Sequence, residues 1–303
     1  MNARLCWSIV ALGACIATAV AATRADRSST DPVFAVRQFK APDGASATVQ
    51  VDVISFSPAR ADLLVMPPAA FDTGMAQAAR GLSVRASVAP LEQRFTPAQT
   101  SELLIVNGGF SGSRTNVPVG LLISSGRMAS TLDQQLRRGN PDDRCAARRV
   151  DRLRYSAVLC AAPGKLRILA ASREINLESC RDALQSAPIL VEDGKPAICP
   201  DEADGPAYLR TALCQADDTM HLVVTAAPIH LFHLAEWLAT PATNGGLGCR
   251  QAMNLSGDTS SGAVLLTARG SPNPQRLNLG PGNFPLPSLI VVQPRRESGR
   301  TAR

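Results

Sequence analysis

The sequence predicts one α/β (α+β) domain in which a mixed β-sheet is flanked by helices and stapled by disulfides. Three observations carry that expectation. Val49, Val51 and Val53 alternate with polar neighbours, the period of a half-buried strand. Leu231, Leu234, Ala235 and Leu238 fall at i, i+3, i+4 and i+7, one apolar stripe of a helix. Cys145, Cys160, Cys180, Cys199, Cys214 and Cys249 make an even set once the first residues are set aside as a leader.

The elements follow in order. Residues 23–33 are a polar lead-in. Leu63 to Met66 forms a second strand that Pro67-Pro68 ends, and Leu103 to Val106 is a short apolar strand running into Asn107-Gly108-Gly109-Phe110. Val119 to Ile123 resumes strand character. Residues 133–154, dense in Arg and Asp around Gly139-Asn140-Pro141, read as a solvated insertion. Leu177, Cys180, Ala183 and Leu184 predict a short amphipathic helix over 176–185, followed by the strand Ile189 to Val191 and the turn Asp193-Gly194. Arg210 to Cys214 and His221 to Thr225 form a hairpin through Ala216-Asp217-Asp218-Thr219. Pro228 opens the helix that carries the apolar stripe, Pro241 stops it, and Cys249 to Met253 is expected as a last helical turn. The strands Ala263 to Thr267 and Ser288 to Val292 complete the domain, placed at 34–293, and 294–303 is expected as a basic disordered tail.

Composition bounds the function. The chain has 303 residues, 45% hydrophobic and 18% charged, so it can bury a sizeable core and is not disordered over most of its length. Its 31 basic residues against 25 acidic ones give a net charge of +6, with arginines scattered and lysine confined to Lys40, Lys165 and Lys195. No nucleic-acid partner is expected. No glycine-rich phosphate fingerprint marks a strand-to-helix turn, and no cofactor is expected.

Arg4, the apolar run from Leu5 to Ala22 and the small-residue pattern Ala19-Val20-Ala21 describe a signal peptide over 1–22. The competing readings are a membrane anchor, although Ser8, Gly13 and Thr18 interrupt the run, and a lipoprotein cut before Cys15, which would leave Ile16 to Ala22 at the new start. Cleavage implies an exported chain, periplasmic or secreted, with no stable membrane span. It also removes Cys6 and Cys15, and the remaining six favour disulfides over zinc because no Cys-x-x-Cys pair exists. Six cysteines allow 15 pairings. The working set joins Cys145 with Cys160, Cys180 with Cys199 and Cys214 with Cys249.

Two segments place small and short polar residues at strand ends, where backbone N–H groups can converge on an oxygen-rich ligand: Asn107 to Phe110, and Asn254-Leu255-Ser256-Gly257-Asp258-Thr259-Ser260-Ser261. Each taken singly is more often a tight turn. In order, Asn107 to Phe110, Pro118-Val119-Gly120-Leu121 with Gly126, Gln185 to Val191 with Gly194, Arg210-Thr211-Ala212, Leu234-Ala235, Gly248-Cys249 and Ala252 to Leu255 with Gly257 and Ser260-Ser261 resemble the phosphodiester glycosidase domain family over roughly residues 100–293. That family includes the lysosomal enzyme that uncovers mannose 6-phosphate by removing N-acetylglucosamine from a phosphodiester.

The resemblance implies hydrolysis of a sugar-1-phosphodiester. Arg210 would hold phosphate oxygens, and Asp258 and Asn107 complete the catalytic set. Gly108, Gly109, Phe110, Gln185, Asn254, Ser256, Gly257, Ser260 and Ser261 would bind a carbohydrate or sugar-phosphate ligand. One departure matters: the family's run Asn-Leu-Asp-Gly-Gly-Gly-Ser-Ser has Ser256 at its aspartate and Asp258 and Thr259 at its second and third glycines. Serine cannot act as a carboxylate base. Asp258 either supplies that group from a neighbouring position, or the chain is a binding protein that has lost catalysis. Ser111 also stands where a second Phe commonly follows Phe110.

Other residues have plainer readings. His230 and His233 stand three apart beside Trp237 and could hold a metal, but helix histidines without one are commoner, and no metal is expected. Ser260 and Ser261 lack a Gly-x-Ser-x-Gly elbow. Arg210 could instead pair with Glu202 or Asp204 on a sheet surface, and a purely structural envelope protein is the third class of function.

Overall fold

The computed structural model describes residues 33–67, 102–110, 118–132, 157–170, 175–199, 206–255, 257–266, 275–277, 286 and 288–295. The expected leader over 1–22, the expected insertion over 133–154 with Cys145, Ser256 and the expected tail beyond Arg295 lie outside these residues.

Strands come first: β1 (Ala35–Asp43), β2 (Ala47–Phe56), β3 (Ala61–Met66), β4 (Leu103–Asn107), β5 (Leu122–Ser124) and β6 (Arg127–Ser130). β7 (Ala157–Ala162), β8 (Lys165–Ala170), β9 (Asp182–Ser186), β10 (Ile189–Glu192) and β11 (Lys195–Pro196) follow. β12 (Thr211–Ala216) and β13 (Thr219–Thr225) form the expected hairpin, and α1 (Leu231–Ala239) comes next. β14 (Gln251–Asn254), β15 (Ala263–Leu266), β16 (Gln275–Leu277) and β17 (Leu289–Pro294) are last.

The strands make three antiparallel sheets, ordered β1-β2-β13-β12-β14-β10-β11, β16-β15-β4-β17-β3 and β6-β5-β9-β7-β8. This corrects the α/β expectation: no strand pair is parallel among the described residues, and α1 is their one α-helix. All three sheets contribute to one core, in which Ile54, Leu213, Leu222 and Met253 meet Leu63, Val65, Leu104 and Ile290 and also Leu159, Ile168 and Leu184. The helix covers the outer face of the seven-stranded sheet.

Two predicted helical segments are strands. Over 176–185 only Leu177–Ser179 turns helically, as a 3-10 turn whose first free N–H, on Glu178, donates to Asn176 Oδ1 at 3.0 Å. The chain then extends into β9, all five residues of which are buried because its two faces pack into different clusters, Leu184 into the central core and Ala183 beside Val158 and Ile123. A strand covered on both faces loses its alternation, so spacing alone cannot separate it from a helix. The expected turn at Cys249 to Met253 fails for the same reason, since β14 buries Met253 in the central core and Ala252 under α1.

In α1, Leu234, Ala235, Trp237 and Leu238 are buried in a cluster with Val51, Val53, Val223 and Ala252. Each buried leucine there contributes about 1.5–3 kcal/mol. His230 offers no side-chain cap, but Asp43 at the end of β1 accepts the His230 N–H at 3.2 Å and places a negative charge at the helix N-terminus. Trp237 Nε1 donates to the Gly245 carbonyl at 2.9 Å, which fixes the exit turn beyond Pro241.

Cys214 and Cys249 are paired as expected, 35 residues apart. The other two expected pairings are corrected, because Cys160 bonds Cys180, with Cα atoms 5.2 Å apart. That bridge ties β7 to the segment entering β9. Cys199 is also disulfide-bonded, to a cysteine outside the described residues.

A buried carboxylate links two of the sheets. Asp182, wholly inaccessible, accepts the N–H groups of Val65 in β3 and Ser125 in the β5–β6 turn at 3.1 Å each, and Arg181 Nε donates to its other oxygen at 2.9 Å. Past the expected end of the domain, Pro294 closes β17 and Arg295 donates from Nε and Nη2 to Asp62.

Candidate functional site

The motif segments meet where the three sheets approach one another. β4 ends at Asn107, whose side chain is fully buried and whose Oδ1 accepts the Gly262 N–H at 3.2 Å. The same N–H lies 3.2 Å from Thr211 Oγ1 at the start of β12. Gly262 thus joins the second sheet to the first. Gly108 and Gly109 donate to the carbonyl and hydroxyl of Ser288, at 3.0 and 3.2 Å. A Cβ on Gly108 would stand 2.8 Å from that carbonyl, and one on Gly109 would stand 3.0 Å from the Gln185 carbonyl. Glycine is required at both positions by close approach.

Gln185 lies in β9 and is fully buried. Its Oε1 accepts the Leu121 N–H at 3.0 Å and would meet a Cβ on Gly120, where φ is +89°. The third sheet therefore reaches the same junction through Gln185. Asn254, at the end of β14, donates through Nδ2 to the carbonyls of Ala187, at 3.0 Å, and Leu255.

Arg210 precedes β12 and is only 9% exposed. Its backbone is fixed by two bonds with Thr225, N to Oγ1 at 2.8 Å and O from N at 3.0 Å. The guanidinium carbon lies 5.1 Å from the ring centre of Tyr208, a cation–π contact. Burial lowers the Arg210 pKa to about 10, while Tyr208 and then Asp258 act to raise it. Arg210 remains charged at neutral pH in a partly dehydrated position.

The loop after β14 curls over this arginine. A Cβ on Gly257 would lie 3.4 Å from one terminal guanidinium nitrogen. Asp258 opens a 3-10 turn over Asp258–Ser260 with φ +53°; its N–H donates to the Leu209 carbonyl at 2.8 Å, and its side chain is exposed. Ser261 is buried and donates its hydroxyl to the same Leu209 carbonyl at 3.1 Å, whereas Ser260 is half-buried. Phe110 is half-buried and its carbonyl accepts the Val119 N–H at 2.9 Å.

Three buried polar atoms of junction residues have no partner among the described residues: Arg210 Nε, Asn254 Oδ1 and Ser186 Oγ. Each residue is one step from a junction contact, since Thr211 accepts the Leu255 N–H and Ala187 accepts from Asn254. Unpaired buried donors and acceptors are costly, and a polar ligand is one way to offset the cost. Arg210 and the glycine segments were legible in the sequence. Tyr208, Thr225 and Ser288 were not, and Ser186 and Thr211 stood in segments that carried the resemblance without being singled out.

Elsewhere, a cavity of about 420 Å³ lies against the Cys160–Cys180 bridge between Ile123, Met128 and Leu177, and none of the expected site residues lines it. Volume alone is a poor guide here, because the unpaired polar atoms are at the sheet junction. His230 and His233 have their Nδ1 atoms 2.8 Å from Asp43 and 3.3 Å from Glu236. Among the described residues no three His, Cys, Asp or Glu side chains group as a metal would need, and no helix is long and apolar enough to cross a membrane.

A solved structure of the zebrafish N-acetylglucosamine-1-phosphodiester alpha-N-acetylglucosaminidase catalytic domain, auto-inhibited by its pro-peptide, matches with a TM-score of 0.55 at 16% identity, covering 88% of this chain and 85% of that one. A hypothetical protein from Synechocystis matches with a TM-score of 0.50 at 12% identity, over 88% of this chain and 64% of that one. At these identities the likeness shows the fold. No curated protein sequence matches the chain. The phosphodiester glycosidase family model matches residues 100–293, most of the chain and all the segments that build the junction, and the chain belongs to the phosphodiester glycosidase family.

Proposed function

We propose that the chain is an exported glycosidase that hydrolyses a sugar-1-phosphodiester in envelope or extracellular glycans. The observation that carries this reading is the buried, charged Arg210, with Nε unpaired and Asp258 near enough to act on its titration. A guanidinium in a dehydrated site binds phosphate oxygens strongly and in fixed orientation. Three disulfide-bonded elements, through Cys160–Cys180, Cys214–Cys249 and Cys199, support an oxidising compartment.

In this mechanism Arg210 holds the phosphate. The bond between the sugar C1 and the phosphate oxygen breaks, and the phosphate monoester leaves with the electron pair. It is already a stable anion, so protonation of the leaving group contributes little. Water adds to C1 of the oxocarbenium-like sugar, and the Asp258 carboxylate takes its proton. Asn254 Oδ1 and Ser186 Oγ, which lack partners, bind sugar hydroxyls. Asn107 is a positioning residue, because its side chain holds Gly262 and the loop that carries Asp258.

The second reading is a binding protein for sugar phosphates. Ser256 at the family's aspartate position and the exposure of Asp258 favour it. Incubating the mature protein with aryl and sugar-1-phosphodiesters decides between them: release of free sugar supports hydrolysis, and calorimetric binding without release supports the second reading.

A further inference from the structure

We infer that Tyr208 is a stacking platform for the sugar ring next to the phosphate, and so a specificity-determining residue. The inference rests on the reading of Arg210 as the phosphate holder. Tyr208 is 41% exposed, one of two large apolar side chains exposed among the described residues. The ring steadies the buried cation through its face, yet two-fifths of it stays open to solvent, where a ligand can reach it. Its backbone is nevertheless fixed, because Tyr208 and Ile229 exchange both N–H···O bonds, at 3.3 and 2.9 Å.

The ring therefore stands on a rigid bridge at the rim of the site, and the guanidinium carbon is 5.1 Å from its centre. In a sugar-1-phosphodiester the pyranose is joined to phosphorus through one oxygen. A phosphate on Arg210 carries that sugar to the rim on which Tyr208 stands, where the part of the ring not covered by the guanidinium is open to it. Aromatic rings take the C–H face of a pyranose while its hydroxyls point to polar groups. The ligand class is a pyranose 1-phosphate or its diester with one face free of axial hydroxyls.

Calorimetry on the mature protein tests this with glucose, galactose and mannose 1-phosphates, and with ethyl phosphate as a ligand lacking a ring. Tyr208→Ala is expected to weaken the best sugar phosphate about tenfold and ethyl phosphate less than twofold. Tyr208→Phe is expected to retain wild-type affinity for both, which separates stacking from the hydroxyl's influence on Arg210. Equal binding of the sugar phosphate by wild type and Tyr208→Ala overturns the platform and leaves the Arg210 reading intact. Equal weakening of both ligands also overturns it, since Tyr208 would then act only through Arg210. Absence of binding of any of the four ligands to the wild type overturns the Arg210 reading and the platform with it.

Discussion

Gly257 lies against Arg210 so closely that a Cβ on the glycine would stand 3.4 Å from a terminal guanidinium nitrogen and 3.0 Å from the Leu209 carbonyl. The carbonyl is backbone and cannot turn aside. Gly257→Ala is therefore expected to move the loop or the arginine by a few tenths of an ångström. Hydrolysis should fall about tenfold in kcat/KM, because misplacement of a charged group costs rate more than stability. Thermal unfolding should change little. Unaltered kcat/KM would show that the contact has no part in the reaction.

Arg210 is held in a position that does not favour its charge, since burial lowers its pKa from 12.5 to about 10. Arg210→Met is expected to leave thermal stability unchanged or raise it, while sugar-phosphate affinity falls at least a hundredfold. Arg210→Lys should rescue little, because a point charge cannot reproduce a planar fork. Binding to the wild type should be level from pH 7 to 9 and weaken above about pH 10 as the guanidinium loses its proton. Calorimetry across that range and denaturation of both variants check these outcomes.

Asp182 is expected to dominate stability. Asp182→Ala leaves the N–H groups of Val65 and Ser125 without acceptors and Arg181 without its carboxylate, and should cost about 3–5 kcal/mol in urea unfolding. Asp182→Asn should cost less, since its amide oxygen still accepts. A loss under 1 kcal/mol for the alanine variant would contradict the role assigned to this link.

His221 gives the fold an acid-sensitive point. Burial first, and then Arg37, lower its pKa below 6.5, and its Nδ1 lies 2.7 Å from Ser55 Oγ. The folded state therefore favours neutral histidine. The unfolded chain takes up the proton as pH falls below 6.5, so this stabilisation is complete above 6.5 and is lost progressively down to the folded pKa. The melting temperature should drop less between pH 7 and 5 in His221→Gln than in the wild type, and scanning calorimetry reads the difference.

Much of this architecture could be read from side-chain periodicity. The strand through Val49, Val51 and Val53 begins with exposed residues between buried valines, the Ala216–Thr219 turn is polar and largely exposed, and α1 buries a single stripe, so these three match the structure. Periodicity fails at β9 and β14, central strands covered on both faces, and that failure turned an all-antiparallel fold into an expected α/β one. Two of the three disulfide pairings were illegible because they depend on which strands become neighbours; Cys180 lies beside β7, not beside Cys199. The glycine segments were conspicuous through composition, whereas Tyr208 and Ser186 acquire meaning only from Arg210 and Asn254 beside them.

The most direct test of hydrolysis is the release of free sugar from an aryl or sugar-1-phosphodiester by the wild-type protein and by Asp258→Asn. The proposed mechanism predicts turnover by the wild type and a loss of at least a hundredfold in kcat for the variant, with sugar-1-phosphate binding retained. Equal turnover by the two proteins, or binding without release in the wild type, would contradict it.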